Sequence, residues 1–195
     1  FCLSGATSEN KLVTVKYKTL DADPVEDISS LGPDQAAQFN STPTSTPTAC
    51  SAPVDFNKDE QPDIPIGDGG LNRLFLVFEN PFPPAPSPRA PAVFELSTLN
   101  GSNGIRLETT NFEKFGAAAS RAGDINGDGT GDLIAGAPHA DWTGTNSGSS
   151  YVVFGRKPPF ASAINMSILD GTNGFRIDGE VSGPYQHYSG SSVAR

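Results

Sequence analysis

Oxygen-bearing side chains alternate with glycines between residues 123 and 132, in the segment GDINGDGTGD. Asp and Asn recur at every second position there, so a tight curl of the backbone can turn their side chains inward together. Hard divalent cations prefer oxygen ligands, and Ca²⁺ takes about six to eight of them in a flexible arrangement. The segment therefore predicts a calcium-binding loop. Its ligands would be the side chains of Asp124, Asn126, Asp128 and Asp132 and the backbone carbonyl of Thr130.

The chain around this loop indicates a β scaffold. The spacing follows the opening of the EF-hand pattern D-x-[DN]-x-[DN]-G, but Asp132 replaces the later Glu and the strand-like run Leu133-Ile-Ala135 follows instead of a helix. Gly127 and Gly129 permit the positive φ angles that the curl requires. The alternative is an acidic turn that caps a hairpin, because Asn-Gly and Asp-Gly favour turns. Unpaired, the clustered carboxylates would repel one another, which favours the calcium loop.

A second acidic loop lies 69 residues earlier, in DFNKDEQPD at positions 55 to 63. Its predicted ligands are the side chains of Asp55, Asn57, Asp59 and Asp63 and the carbonyl of Gln61. Glu60 stands where the other copy has a glycine, and Lys58 adds a positive charge that competes with a bound cation. We therefore expect this loop to be the weaker of the two calcium sites.

The segments that flank the loops also repeat. LNGSNGIR at 99–106 returns as LDGTNGFR at 169–176, and LVF at 76–78 returns as VVF at 152–154 after a longer loop. A third copy begins at Leu169 and reaches SGSSVAR at 189–195, which resembles FGAAASR at 115–121. Self-similarity at a fixed period indicates units that bury their apolar faces against their neighbours.

Each unit reads as about four short strands separated by Gly, Asn, Asp and Pro, with almost no helical periodicity. In the second unit the strands are expected near residues 116–121, 133–135, 150–154 and 175–177. This pattern predicts an all-β fold built of β-propeller blades. The small residues at 116–120 suit an innermost strand beside the crowded axis, and an ordinary loop is the alternative.

The repeats divide the chain into three parts. Residues 1–50 form an atypical N-terminal segment that ends in a Ser/Thr/Pro-rich linker, although the alternation at 11–18 predicts a strand. Residues 51–122 are a first, degenerate repeat, and residues 123–195 are a second repeat with the start of a third. Cys2 and Cys50 could form a bridge, which two cysteines alone neither establish nor exclude.

Composition narrows the classes of partner. The formal net charge is -9, from 13 Lys and Arg against 22 Asp and Glu, and the basic residues are scattered. This disfavours nucleic acid and anionic membrane surfaces and favours cations. No apolar run approaches the roughly 18 residues of a spanning helix. The chain opens on Phe1 without a visible signal peptide, so we expect a fragment or a processed chain.

The sequence offers little support for catalysis. His139 and His187 lie in loop-like segments without an identifiable partner, and surface or packing roles are expected for both. No nucleophile elbow, H-E-x-x-H zinc motif or phosphate-binding glycine loop occurs. The single tryptophan, Trp142, is a candidate contact residue for a protein or glycan, since exposed aromatics favour interfaces. A ring folded back on its own blade is an equally ordinary outcome.

With Phe115-Gly116 twenty residues before Gly136-Ala-Pro138 and the acidic loop between them, this stretch resembles the FG-GAP repeat of integrin alpha chains. The resemblance covers about residues 51–195, and the sequence there is most similar to integrin-alpha-like repeat proteins of bacteria. In the first copy Ile66-Gly-Asp-Gly69 departs from Gly-Ala-Pro.

The resemblance implies a propeller, usually of about seven blades, with structural calcium in loops on one face and partner-binding loops on another. Further blades would then come from the parent chain or from self-association. The implied function is a calcium-stabilised, non-catalytic adhesion or ligand-binding module, extracellular or on a cell surface. Two alternatives are a propeller appended to a secreted, phospholipase-like hydrolase and a purely structural repeat of a surface protein.

Overall fold

The computed structural model describes residues 12–16, 36–40, 49–78, 92–180 and 186–194. Within these ranges the regular elements are strands and two short 3-10 helices, at Leu96–Thr98 and Met166–Ile168. The strands are β1 (Leu12–Lys16), β2 (Ala36–Asn40), β3 (Ala49–Cys50), β4 (Ile64–Asp68), β5 (Arg73–Val77), β6 (Ala92–Glu95), β7 (Gly104–Glu108), β8 (Ala118–Gly123), β9 (Asp132–Ala137), β10 (Ser149–Val153), β11 (Ala163–Asn165) and β12 (Gly174–Asp178). This confirms the all-β prediction.

Two four-stranded antiparallel sheets form the blades predicted from the repeats. The first blade contains β3, β4, β5 and β7, and the second contains β8, β9, β10 and β12, each paired in chain order. The four strands expected in the second unit are all present, although the small-residue segment at 116–120 enters β8 only from Ala118, after a turn at Gly116. The alternation at 11–18 likewise forms β1.

The connection that leads into the last strand of each blade contains a short strand, and this strand pairs with the preceding sheet. β11 precedes β12 in the chain but pairs in parallel with β7, the outer strand of the first blade. In the same way β6 precedes β7 but pairs in parallel with β2, which is antiparallel to β1. The N-terminal strands β1 and β2 therefore occupy the same position relative to the first blade that β5 and β7 occupy relative to the second blade.

The main core lies between the two blades. Alternate residues of β5 and β7 face alternate residues of β9 and β10, because successive side chains of a strand point to opposite faces. The contributing side chains are almost fully buried and include Leu74, Leu76, Ile105, Leu107, Leu133, Ala135, Tyr151 and Val153. Fully burying one such large apolar side chain contributes roughly 1.5–3 kcal/mol, so stacking of the blades is a principal source of stability.

The other face of the first blade carries a smaller core, which contains Ile64, Ile66, Phe75, Val77 and Leu96. The first blade is thus apolar on both faces. The other face of the second blade is only partly covered within the described residues, since Val152 is buried there. Ile177 in β12, which corresponds to the fully buried Leu107 in β7, is 50% exposed.

The Phe-Gly and Gly-Ala-Pro segments meet inside the structure. Gly116 donates its backbone N–H to the carbonyl of Gly136 at 3.0 Å. Phe115 is fully buried, with its ring edge-on to that of Tyr151 at 5.3 Å. Gly116 has a φ of 83°, and a Cβ there would collide with the carbonyl oxygen of Arg73. The Phe-Gly pair is therefore a packing and turn motif. It holds the start of β8 against β9 of its own blade and against the first blade.

Several sequence predictions concern parts of the chain outside the described residues. Cys2, the side chain of Cys50 and the linker at 41–48 belong to these parts. Across the portion of the chain that the structure covers, no helix is long and apolar enough to cross a membrane.

Candidate metal centre

The acidic segment at 124–132, here called loop 2, joins β8 to β9 and is curled around the Asp124 carboxylate. Oδ1 of Asp124 accepts the backbone N–H groups of Gly127 and Asp128 at 2.8 and 3.0 Å, and Oδ2 accepts that of Gly129 at 2.8 Å. Asp128 accepts the N–H of Thr130 at 2.8 Å. Alternate side chains therefore point toward the inside of the curl, as their spacing predicts.

The segment at 55–63, here called loop 1, joins β3 to β4 and repeats most of these hydrogen bonds. Oδ1 and Oδ2 of Asp55 accept the N–H groups of Asp59 and Glu60 at 3.1 and 3.2 Å. Asp59 accepts the N–H of Gln61 at 2.8 Å, and its other oxygen accepts the amide of Asn57 at 2.9 Å. The corresponding amide bond in loop 2, from Asn126 to Asp128, is also 2.9 Å.

Loop 1 reaches this conformation without glycine. Gly127 and Gly129 both have a φ of 77°, and their counterparts Lys58 and Glu60 have φ values of 61° and 66°. A residue with a Cβ in this left-handed region costs roughly 1–2 kcal/mol. The Asx-type hydrogen bonds to Asp55 hold the strained backbone in place, so the missing glycine weakens loop 1 without changing its shape.

The last acidic residue of each loop is buried and ties the loop's start to its end. Asp132 is fully buried and accepts the N–H groups of Ile125 and Gly155 at 2.6 and 3.0 Å. Burial raises the pKa of Asp132 above its ordinary value, against the opposing effect of those two N–H groups. The carboxylate therefore lacks a full positive counter-charge in a site that disfavours its ionised form.

Asp63 holds the equivalent place in loop 1, but both of its partners bond to the same oxygen. Its Oδ2 accepts the N–H groups of Phe56 and Asn57 at 2.7 and 3.2 Å, while its buried Oδ1 has no hydrogen-bond partner among the described residues. Burial raises the pKa of Asp63 from 3.8 to about 7, with smaller contributions from the charges of Asp59 and Asp55. A buried carboxylate oxygen without a donor is the kind of group that a cation satisfies.

The two loops lie side by side and contact each other directly. Gly131 in loop 2 donates its N–H to the carbonyl of Asp55 in loop 1 at 3.0 Å. The ammonium of Lys58 reaches the carbonyl of Asp128 at 2.7 Å. Both loops therefore lie on one face of the two-blade unit. Loop 1 leads into the N-terminal end of β4, and loop 2 leads into the N-terminal end of β9.

The donor set fits a hard divalent cation. Each loop offers carboxylate, amide and carbonyl oxygens only, which is the ligand chemistry of Ca²⁺ rather than of Zn²⁺. Within the described part of the chain no three His, Cys, Asp or Glu side chains converge as a metal-binding group. The loop carboxylates are instead turned onto backbone N–H groups, and among the described residues no donor reaches Oδ1 of Asp63. The calcium ligands stay predictions.

The predicted contact residue, Trp142, lies in the connection between β9 and β10. This connection begins at the opposite end of β9 from loop 2. The Trp142 side chain is 50% exposed. The Arg176 guanidinium covers one face of the Trp142 ring, at 3.6 Å from the ring centre. Nε1 of Trp142 donates to the Tyr151 hydroxyl at 3.3 Å. The ring is therefore held against its own blade, with its remaining surface open to solvent, and its role as a contact residue stays a prediction.

The same end of the blades carries aromatic residues that sequence reasoning missed. Phe112, between β7 and β8, is 91% exposed, and Tyr188 is partly exposed. Glu113, next to Phe112, is buried and accepts a 2.6 Å hydrogen bond from the Tyr151 hydroxyl. Burial and this bond raise the pKa of Tyr151. An exposed phenylalanine followed by a buried glutamate inverts the usual pattern, and no periodicity in the sequence signals it.

The histidines are placed as the sequence analysis expects. The ring of His139 packs near that of Tyr188, with 5.4 Å between ring centres, and its backbone N–H bonds to the carbonyl of Glu113. Burial lowers the pKa of His139, and the charge of Lys114 lowers it further. His187 is exposed. Neither residue has a hydrogen-bonded carboxylate or nucleophile among the residues described here.

Comparisons with known proteins agree with the repeat geometry. Residues 115–153, which contain Phe-Gly, loop 2 and Gly-Ala-Pro, match the FG-GAP repeat family. The chain is also 31% identical over 130 residues to integrin alpha-6 of Homo sapiens, a match that covers 58% of this chain and 10% of that protein. The chain therefore spans about a tenth of the length of this relative.

Residues 115–153 are thus similar to one FG-GAP repeat, a longer stretch of the chain is similar to an integrin alpha chain, and the stacked four-stranded sheets are of the β-propeller blade type.

Proposed function

We propose that this chain is part of a calcium-stabilised, non-catalytic β-propeller that binds a ligand or mediates adhesion outside the cell. The observation that carries the proposal is the pair of adjacent loops with one hydrogen-bond pattern. Loop 2 has the glycines that its curl requires, whereas loop 1 adopts the same curl at the cost of two strained residues. A backbone shape kept under strain favours a role beyond that of a simple hairpin turn.

Calcium would have a structural role at these loops. The predicted ligands of loop 2 are the side chains of Asp124, Asn126, Asp128 and Asp132 and the carbonyl of Thr130. Asp124 directly follows β8 and Asp132 begins β9, so an ion held by both would tie two strands of the second blade together. In loop 1 the ligands would be Asp55, Asn57, Asp59, the carbonyl of Gln61, and Asp63. A bound ion supplies the positive charge that these carboxylate clusters lack.

The loops at the other end of the blades are suited to contact a macromolecule. Hydrogen bonds join the 109–117 and 138–148 connections and the described residues 179–180 and 186–189 into one surface, for example from the Thr143 hydroxyl to the carbonyl of Gly179 at 2.6 Å. The surface presents Trp142 and Phe112, and aromatic side chains are enriched at binding hot spots. We propose that this surface binds a protein or glycan and that calcium rigidifies the blades beneath it.

Extracellular calcium concentrations suit such loops. Calcium sites of extracellular modules have dissociation constants of roughly 10⁻⁴–10⁻³ M, which millimolar calcium outside a cell would fill. The similarity to an integrin alpha chain supports an extracellular or cell-surface setting. A catalytic domain in the same reading frame would instead favour a propeller appended to a hydrolase. Unchanged attachment after Trp142→Ala and Phe112→Ala would favour a purely structural repeat.

Calcium titration by calorimetry, paired with thermal unfolding in calcium and in chelator, tests the proposal. A ligand at about a hundred times its dissociation constant stabilises the folded state by about 2.7 kcal/mol. We expect a calcium-dependent rise in the unfolding midpoint that Asp128→Asn reduces. The matched control is Asp141→Asn, which removes one carboxylate from the 138–148 connection. Absence of both heat and stabilisation in a folded chain would refute the calcium proposal.

A further inference from the structure

Lys58 belongs to loop 1 by sequence but contacts loop 2. It stands where loop 2 has Gly127, and its φ of 61° directs the side chain out of its own curl. Its Nζ donates to the backbone carbonyl of Asp128 at 2.7 Å and lies 3.5 Å from the position that a Cβ on Gly129 would take. An ammonium of loop 1 therefore rests on the rim of loop 2.

The backbone that carries Lys58 is fixed on both sides. The N–H of Asp59 is held by the carboxylate of Asp55 at 3.1 Å and by the amide oxygen of Asn57 at 3.0 Å. The carbonyl of Asp55 is bonded to Gly131 in loop 2. Because these bonds restrain the two loops relative to each other, the ammonium starts from a defined position and reaches loop 2 with little loss of backbone freedom.

The positive charge of Lys58 has two opposite effects on loop 2. Loop 2 contains the carboxylates of Asp124, Asp128 and Asp132, which repel one another, and a nearby ammonium offsets part of that repulsion. The same ammonium repels a divalent cation that enters the loop, because it is a like charge at short range. It also engages a carbonyl oxygen on the loop, which disfavours rearrangement of that residue.

We propose that Lys58 is an intramolecular cation that lowers the divalent-cation affinity of loop 2 from the neighbouring loop. This inference rests on the proposed function, in which loop 2 binds calcium. It assigns Lys58 two roles that separate experimentally: it stabilises the metal-free loop and it competes electrostatically with the metal. A residue of purely structural value would do only the first.

The test compares Lys58→Met with Lys58→Arg in an Asp59→Asn background, which removes a carboxylate from loop 1 so that calcium titration reports mainly on loop 2. Methionine keeps a long unbranched side chain without charge, and arginine keeps the charge. Lys114→Met, in the 109–117 connection, is the control for the same loss of charge elsewhere. Calcium affinity is measured by calorimetry at low and at high salt, and the unfolding midpoint is measured in chelator.

Lys58→Met should bind calcium roughly two- to fivefold more tightly at about 10 mM salt, and the difference should disappear near 1 M salt, where charges are screened beyond about 3 Å. In chelator the same variant should unfold about 1–2 °C lower. Lys58→Arg and Lys114→Met should resemble the parent. Equal affinities for Lys58→Met and its parent would overturn the role of Lys58 while leaving loop 2 as a calcium site. Loss of calcium binding in every variant would overturn both proposals.

Discussion

Asp63 gives a direct test of the electrostatics of loop 1. Its carboxyl group is fully buried just before β4, and no donor among the described residues reaches Oδ1. Burial raises its pKa from 3.8 to about 7. Without metal, the folded chain therefore holds a proton on Asp63 over a pH range in which the unfolded chain has released it.

The sign of the effect follows from proton linkage. Because the pKa of Asp63 is higher in the folded state, its contribution to stability is greatest below about pH 4, falls as the pH rises to about 7, and is constant above that. The two pKa values differ by about 3, and each pH unit corresponds to about 1.4 kcal/mol. Ionisation of Asp63 thus costs up to about 4 kcal/mol.

Urea unfolding of the wild type and of Asp63→Asn in chelator, from pH 4 to pH 8, measures this cost. Asparagine keeps an oxygen for the N–H groups of Phe56 and Asn57 but carries no charge. We expect the variant to lose less stability than the wild type as the pH rises and to be the more stable protein at pH 8. Saturating calcium should reverse that order, because the cation neutralises Asp63 and the amide is a weaker ligand.

The difference in free energy of unfolding between the wild type and Asp63→Asn reports on Asp63 alone, because the other carboxylates that titrate in the same range are present in both proteins. Asp170→Asn, in the loop after the second 3-10 helix, is the control: hydrogen bonds from Thr172 lower the pKa of Asp170, so its loss should affect stability only near the acid end and leave the slope from about pH 5 to pH 8 unchanged. Parallel stability curves for the wild type and Asp63→Asn in chelator would refute the account of Asp63 as a buried, uncompensated acid.

Two further predictions concern the backbone of the loops and the core. Glu60→Gly should stabilise the metal-free chain by about 0.5–1 kcal/mol in urea unfolding, since relief of a left-handed residue outweighs the flexibility of glycine. Gly127→Ala, where a Cβ would meet no atom within 4 Å, should have the opposite effect of similar size, and equal signs would contradict the strain argument. Leu107→Ala should cost about 3 kcal/mol in the core between the blades, against less than about 1 kcal/mol for Ile177→Ala at the corresponding exposed position. Similar costs would show that the second blade buries both faces.

The sequence predicted the strands of the second blade and the loops because their signals are local. Turn residues separate short apolar runs, and the alternate spacing of oxygen-bearing side chains needs only one curl of the backbone. The repeat in the sequence then predicted the same curl for loop 1, although Lys58 and Glu60 depart from the glycine pattern. The hydrogen bonds of Asp55 maintain the curl there, which a propensity argument does not capture.

The sequence did not predict the contacts between repeats. The parallel pairing of β11 with β7 and of β6 with β2 depends on how crossovers pass over the preceding sheet. The reach of Lys58 onto loop 2 depends on the two loops lying side by side. Residues 69 or 70 positions apart become neighbours through stacking of the blades, and no local pattern reports that geometry.

The most direct test of the central claim is a crystal structure of the chain grown in calcium, with anomalous diffraction to locate the ions. The account predicts an ion in loop 2, within about 2.3–2.6 Å of oxygens from Asp124, Asn126, Asp128, Thr130 and Asp132. It also predicts an ion at lower occupancy in loop 1, with Oδ1 of Asp63 among its ligands. Ordered loops without anomalous density at saturating calcium, their carboxylates still bound to backbone N–H groups, would contradict it.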